Sequence, residues 1–242
     1  MQNYNIEDIK SVINDIFVLV KTEEKLFTSI EDINTISDRL SKVSSYKVKL
    51  LKKRKWIDDA LILVFKDERI SISCKIHEDK YPLASNIYDN PVSLKKLFNS
   101  EFTTNIYSTK IHVLNSIQYR IVFYDFLEGQ SLGNLVMNAG KHDLDKYKVL
   151  LKDTVVGLLS IGFNVFVRDL DDFLLVDERN SLVITDYNAM MDCQNANVYS
   201  RKNVISIVET IIDKIVDSGY KPFVSTRPTM LDLDTQKIDM RF

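Results

Sequence analysis

"VFVRDLDDFLLVDERNSLVITDY", residues 165–187, is the stretch on which the fold of this chain turns. An Arg168-Asp169-Leu170 step leads into a short apolar run, the turn "DERNS", and a second apolar run that ends at Asp186. Two such runs around turn residues read as a pair of short strands. Acidic residues then stand at both ends of the pair: Asp169, Asp171 and Asp172 before it, Asp186 after it. Carboxylates there are oxygen donors of the kind a hard cation such as Mg²⁺ takes. The plainer reading of the same residues is a solvated turn.

Outward from that stretch, the order of elements follows from periodicity. Ile6, Ile9, Val12, Ile13, Ile16 and Val20 recur at helical spacing, as do Leu26, Ile30, Ile33 and Leu40, so helices are expected over about 6–20 and 23–42. From Tyr46 the period changes to two, and "YKVKLL", "ALILVF" and "RISISCKI" read as strands. A helical stretch is expected in "SLKKLFNSEFTTNIYSTK", then strands in "IHVLN" and "YRIVFYDFL". "EGQSLGN" breaks the pattern. A long helix follows, with Asp143 as its N-cap, an apolar face from Leu144 to Leu158, and Gly162 just past its end. "NVISIVETIIDKIV" is the last helix before a polar tail with Pro222 and Pro228. Helices, then strands with one inserted helix, then mostly helices describe an α+β fold in two lobes.

The composition is that of an ordinary globular protein, 45% hydrophobic and 27% charged. Its 32 basic and 34 acidic side chains nearly cancel, so no overall field favours nucleic acid. Cys74 and Cys193 stand alone, which fits a reducing compartment and a cytoplasmic location better than a disulfide framework. No segment reads as a signal core or a membrane span, the apolar run Ile16–Val20 being too short. His77, His112 and His142 are isolated and show no metal-ligand spacing. All six glycines fall after residue 128, so the first half cannot form a glycine-rich phosphate loop, which needs backbone amides free of Cβ atoms. The cations between Lys47 and Lys55 read either as a strand edge guarded against aggregation or as an anion or membrane-surface site.

Lys75 lies in a strand with Ile70, Ile72, Cys74 and Ile76, and a buried lysine needs an anionic partner, for which Glu101 in the next helix is the candidate. In chain order the chemistry-bearing residues are therefore Lys75, Glu101, the strand ending near Asp125, Asp169 and Asp186. Phosphoryl transfer draws on such groups: a lysine on the phosphates, a glutamate holding it, an aspartate receiving the acceptor's proton, and oxygen ligands for Mg²⁺.

On these residues the chain resembles the protein-kinase-like superfamily. "VFYDFLEGQSL" resembles the strand and hinge that meet adenine, and "GFNVFVRDLDDFLLVDERNSLVITDYNAM" the catalytic loop, hairpin and Asp-Phe-Gly region. "NVISIVETIIDKI" is similar to the buried helix beyond them. The flavour is that of small bacterial kinases, the lipopolysaccharide core heptose kinases and the minimal kinases injected as type III effectors. The resemblance spans about residues 46–220 and implies a bilobal kinase-like fold. Residues 1–45 would be a helical extension, 46–128 a strand-rich N-lobe with hinge, and 129–242 a short helical C-lobe and tail.

Carried over, the resemblance implies ATP and Mg²⁺ bound between the lobes. Lys75 and Glu101 would serve the phosphates, the backbone at Asp125 and Leu127 adenine, and Asp186 the metal, although Tyr187 and Asn188 replace the usual Phe-Gly. The catalytic loop departs from the pattern. Aligned without a gap, the metal-binding asparagine becomes Phe173 and the catalytic aspartate becomes Arg168, neither of which can do the work. With one residue deleted, Asp169 keeps the catalytic position and Asp171 or Asp172 supplies the metal ligand. The expectation is a pseudokinase that binds nucleotide, a protein, or both, the protein through its N-terminal helices or C-lobe. The alternatives are an active kinase acting on a protein or sugar hydroxyl, and an interaction protein with no nucleotide site. The protein would work in the cytoplasm, or in a host cytosol if it is an effector.

Overall fold

The computed structural model describes residues 6–22, 30–54, 60–66, 68, 70–79, 87–98, 100–165, 167, 170–176, 181–192, 210 and 213. The chain is mixed α+β and forms two compact units: residues 1–82 with 105–126, and residues 83–104 with 127–242. The break at Phe126/Leu127 falls in the segment expected to be a hinge.

The first unit carries helices α1 (Ile6–Lys21) and α2 (Ile30–Val43) and strands β1 (Lys47–Arg54), β2 (Ala60–Lys66), β3 (Ser71–Glu78), β4 (Ile106–Leu114) and β5 (Ile117–Asp125). The strands make one antiparallel sheet in the order β1-β2-β3-β5-β4. Alternation decides which residues meet the helices. Leu61, Leu63, Phe65, Ile72, Cys74, Ile76, Ile121 and Phe123 form one core with Ile9, Val12, Ile13, Ile16 and Val20 of α1 and Ile36 and Leu40 of α2. The helical pair, expected as an extension, thus shares its apolar faces with the sheet. Lys110 of β4 ties α1 down from the rim, its Nζ donating to Asn14 Oδ1 at 2.9 Å and lying 4.2 Å from the Phe17 ring centroid.

The stretch 93–110 is not one helix: helix α3 covers Pro91–Leu97, and Ile106 already pairs with Tyr124 as β4 begins. The β-branched and aromatic residues from Thr103 to Thr109 suit a strand, and cross-strand partners override the helical pattern. The β4–β5 hairpin then turns at Asn115 and Ser116, both at positive φ, the two-residue turn whose twist matches paired strands.

The second unit holds α3, β6 (Gln130–Ser131), α4 (Leu132–Asn138), α5 (Lys141–Ser160), β7 (Phe163–Val165), β8 (Phe173–Val176), β9 (Ser181–Ile184) and β10 (Met190–Asp192). Strands β6, β8 and β9 form one small sheet and β7 and β10 another. Asn90 caps α3, its Oδ1 accepting from the amides of Val92 at 3.0 Å and Ser93 at 3.2 Å, with Pro91 at the first helical position. The N-cap of α5 is Gly140, not Asp143, which sits in the first turn, where a carboxylate favours the helix dipole. Gly162 ends α5 at φ 97°, as expected for a residue in left-handed geometry just past a helix. Gly157, inside α5, makes room for a neighbour: a Cβ there would lie 2.2 Å from the Phe102 ring. The expected helix 203–216 and the tail lie outside the described residues, except that Thr210 and Asp213 are helical and Asp213 pairs with Lys152 at 3.2 Å. Among the described residues no helix is long and apolar enough to cross a membrane.

Candidate functional site

The residues singled out by sequence fall in both units. In the first, Lys75 sits mid-strand on β3, paired with Ile62 and Val122. It occupies the face opposite Cys74 and Ile76 and yet is only 4% exposed, because β3 is buried on both sides. Ser73 and His77 flank it on that face, both buried. Asp125 ends β5; its amide donates to Asn105 O at 3.1 Å, and its carboxylate accepts a short hydrogen bond from the Tyr107 hydroxyl. Leu127 opens the second unit and is half-buried.

Glu101 does not lie on a helix. α3 ends at Leu97, and Glu101 is exposed in the turn that follows, in the second unit while Lys75 is in the first. The helix stops because its last turn is taken over by side-chain bonding: Thr103 Oγ1 donates to Leu97 O at 2.8 Å. The turn is then stitched to β9, with Ile184 N donating to Phe102 O at 2.9 Å and Thr103 bridging Ile184.

The acidic ends of the β8–β9 hairpin are the best-defined part of the site. Pairing of Phe173 with Ile184 and of Val176 with Ser181 fixes the register, so the residues before β8 and after β9 emerge side by side. Thr185 locks them: its amide donates to Asp172 O at 2.8 Å and its hydroxyl to the same oxygen at 3.1 Å. Asp171 and Asp172 lie in the 3₁₀ turn Leu170–Asp172, Asp171 half-buried and Asp172 only 2% exposed. Asp186, 8% exposed, is followed by the 3₁₀ turn Tyr187–Ala189, closed by Ala189 N donating to Asp186 O at 3.0 Å. Asp169 and Arg168 lie outside the described residues. Phe173 is wholly buried as the first residue of β8.

Tyr187 was noted in the sequence only as a departure from Phe. Its ring, almost fully buried, stacks on Tyr88 with centroids 6.0 Å apart, and its hydroxyl donates to Thr104 O at 2.6 Å. A phenylalanine would fill the same space without that bond. The turn that carries Asp186 is therefore pinned by both packing and a hydrogen bond. Sequence reasoning missed two further pairs. Arg120 Nη2 and Asp79 Oδ2 form a buried ion pair at 2.9 Å, which Gln118 joins through Nε2 at 3.0 Å. Ser93, fully buried, shares a short hydrogen bond with Asp192. Both bring together residues about 40 and 99 positions apart, and no local pattern announces such a pairing.

Mg²⁺ typically takes one or two carboxylates, waters and substrate phosphate oxygens, so Asp186 with Asp171 or Asp172 suits it chemically. Among the described residues, no three His, Cys, Asp or Glu are grouped to hold a metal by themselves. Set against known proteins, the chain matches no family model and no curated sequence.

Proposed function

We propose that this chain is a kinase-like protein with a degenerate active site, a pseudokinase that acts by binding nucleotide, a protein partner, or both. The observation that carries this reading is Phe173. It stands where the resemblance puts the metal-binding asparagine, and it is a wholly buried residue at the start of β8 whose side chain has no atom that can ligate Mg²⁺. In this reading Lys75 holds phosphates, the backbone at Asp125 and Leu127 meets adenine, and Asp186 retains a metal-binding role. Bound Mg²⁺ would neutralise phosphate charge. A cytoplasmic setting, bacterial or host, fits the free thiol of Cys74.

One observation favours an active enzyme as the second reading. Asp172 immediately precedes Phe173, and Thr185 bonds its carbonyl beside the strand end that leads to Asp186. A metal ligand displaced by one residue would let Asp169 act on a protein or sugar hydroxyl. An interaction protein without a nucleotide site is the more distant alternative.

Thermal stability with ATP, with and without Mg²⁺, separates these readings. ATP at about 100 times its dissociation constant adds roughly 2.7 kcal/mol, a rise of about 5–10 °C for a chain this long. A shift that Lys75→Met abolishes, without phosphate transfer, is the result expected of a nucleotide-binding pseudokinase. Transfer that Asp169→Asn abolishes would establish the active enzyme instead. The absence of any shift would remove nucleotide from the account.

A further inference from the structure

The chain passes from the second unit to the first between Thr104 and Asn105, and back again between Phe126 and Leu127. The two carbonyls at the first of these crossings are claimed by different units. Thr104 O accepts from the Tyr187 hydroxyl of the second unit at 2.6 Å. Asn105 O, the next along the chain, accepts from the Asp125 amide of the first unit at 3.1 Å. Only the two soft torsions of Asn105 separate these acceptors, so there is little slack between them. Asp125 itself stands one residue before the second crossing peptide, so this bond ties the two crossing segments together.

Both ends are anchored. In the second unit, Tyr187 is buried and stacked on the buried Tyr88, so packing fixes where its hydroxyl points. Thr103 is held there by its bridge to Ile184 and by its hydroxyl on Leu97 O. In the first unit, the Asp125 carboxylate accepts from the Tyr107 hydroxyl. Phe126 N donates to Ser71 O at 3.3 Å, and Lys66 Nζ lies 4.3 Å from the Phe126 ring centroid. Thr104 is only 2% exposed, so water is not at hand to replace the Tyr187 hydroxyl when that turn moves. Bonds that served only to hold each unit together would have no reason to fall on adjacent carbonyls at the crossing.

We propose that Thr103–Asn105 is a coupling strap, which makes the turn carrying Asp186 and the end of β5 move together. Tyr187 directly follows Asp186 and opens the turn that Ala189 N closes on Asp186 O at 3.0 Å, so whatever displaces Asp186 also displaces the hydroxyl on Thr104 O. The displacement passes through Asn105 to the Asp125 amide. The end of β5 thereby reports the state of the Asp186 turn. The link is the covalent chain itself and needs no contact between the units. It needs no nucleotide either, and so does not rest on the kinase-like reading.

Amide hydrogen exchange, followed residue by residue by NMR on the full chain without ligand, tests this. Tyr187→Phe keeps the stacked ring and removes only the hydroxyl. It should speed exchange of the Asp125 amide, in the other unit, at least about fivefold, while the amides of Ile16 and Val122 stay unchanged. Coupling is reciprocal. Tyr107→Phe, which loosens Asp125 from the first unit's side, should therefore speed exchange of the Ala189 amide by a similar factor. Acceleration confined to residues 104 and 184–189 in Tyr187→Phe would overturn the proposal. A uniform rise through both units would do the same, because it marks lost stability and not coupling. A response in one direction only would also overturn it.

Discussion

Individual side chains in this protein are set by which face of an element they occupy. Cys74 and Lys75 are neighbours on β3, yet one faces the helices and the other the opposite side. Burial raises the Cys74 thiol well above its ordinary value, because the apolar core disfavours a thiolate. Its proton is therefore held more tightly folded than unfolded. The corresponding stability is complete below the unfolded value of about 9 and is lost as pH rises beyond it, by at most about 1.4 kcal/mol per pH unit. Urea midpoints between pH 8 and 10 should fall accordingly, and Cys74→Ala should flatten that part of the profile. Alkylation of the native protein at Cys74 should wait on unfolding.

At the scale of elements, short pieces hold their place through ends and not through length. Helix α3 has only 7 residues, too few to be stable alone. It begins with a side-chain cap and a proline and ends where Thr103 captures the Leu97 carbonyl. Asn90→Ala should cost about 1 kcal/mol, while Asn90→Ser or Asn90→Asp should recover most of it, measured by chemical denaturation. The hairpin β8–β9 is equally short, and Thr185 closes its open end. The candidate site depends on that closure, since it sets the residues before β8 beside those after β9.

Across the whole molecule, the first unit is one core shared by two helices and a sheet. Ile16 is fully buried there, in contact with a cluster drawn from α1, α2 and the strands. Ile16→Ala should destabilise the unit by about 2–5 kcal/mol. Hydrogen exchange should then speed up in β3 and β5 as well as in α1; acceleration confined to α1 would mean that the helices are an appendage. In the second unit Phe102 and Gly157, both half-buried, meet closely.

The α+β class, the N-terminal helices, most strands of the first sheet, the β8–β9 pair and the end of α5 at Gly162 were legible from periodicity and turn chemistry. These are local properties: alternation of period two, helical spacing, and a backbone angle that glycine adopts without strain. Lys75 and the acidic hairpin ends were legible as candidates for the same reason. The reach of α3, the placement of Glu101 in a turn and the register shift of β1 on β2 between Leu50 and Lys52 were not. Each depends on a partner far along the chain: Tyr124 claims Ile106 for β4, Ile184 holds the Phe102 turn, and pairing with β2 sets the register of β1. Sequence by itself determined what each segment could become. Only the tertiary structure decided which possibility was taken, because cross-strand pairing and burial free energies exceed the local preferences they override.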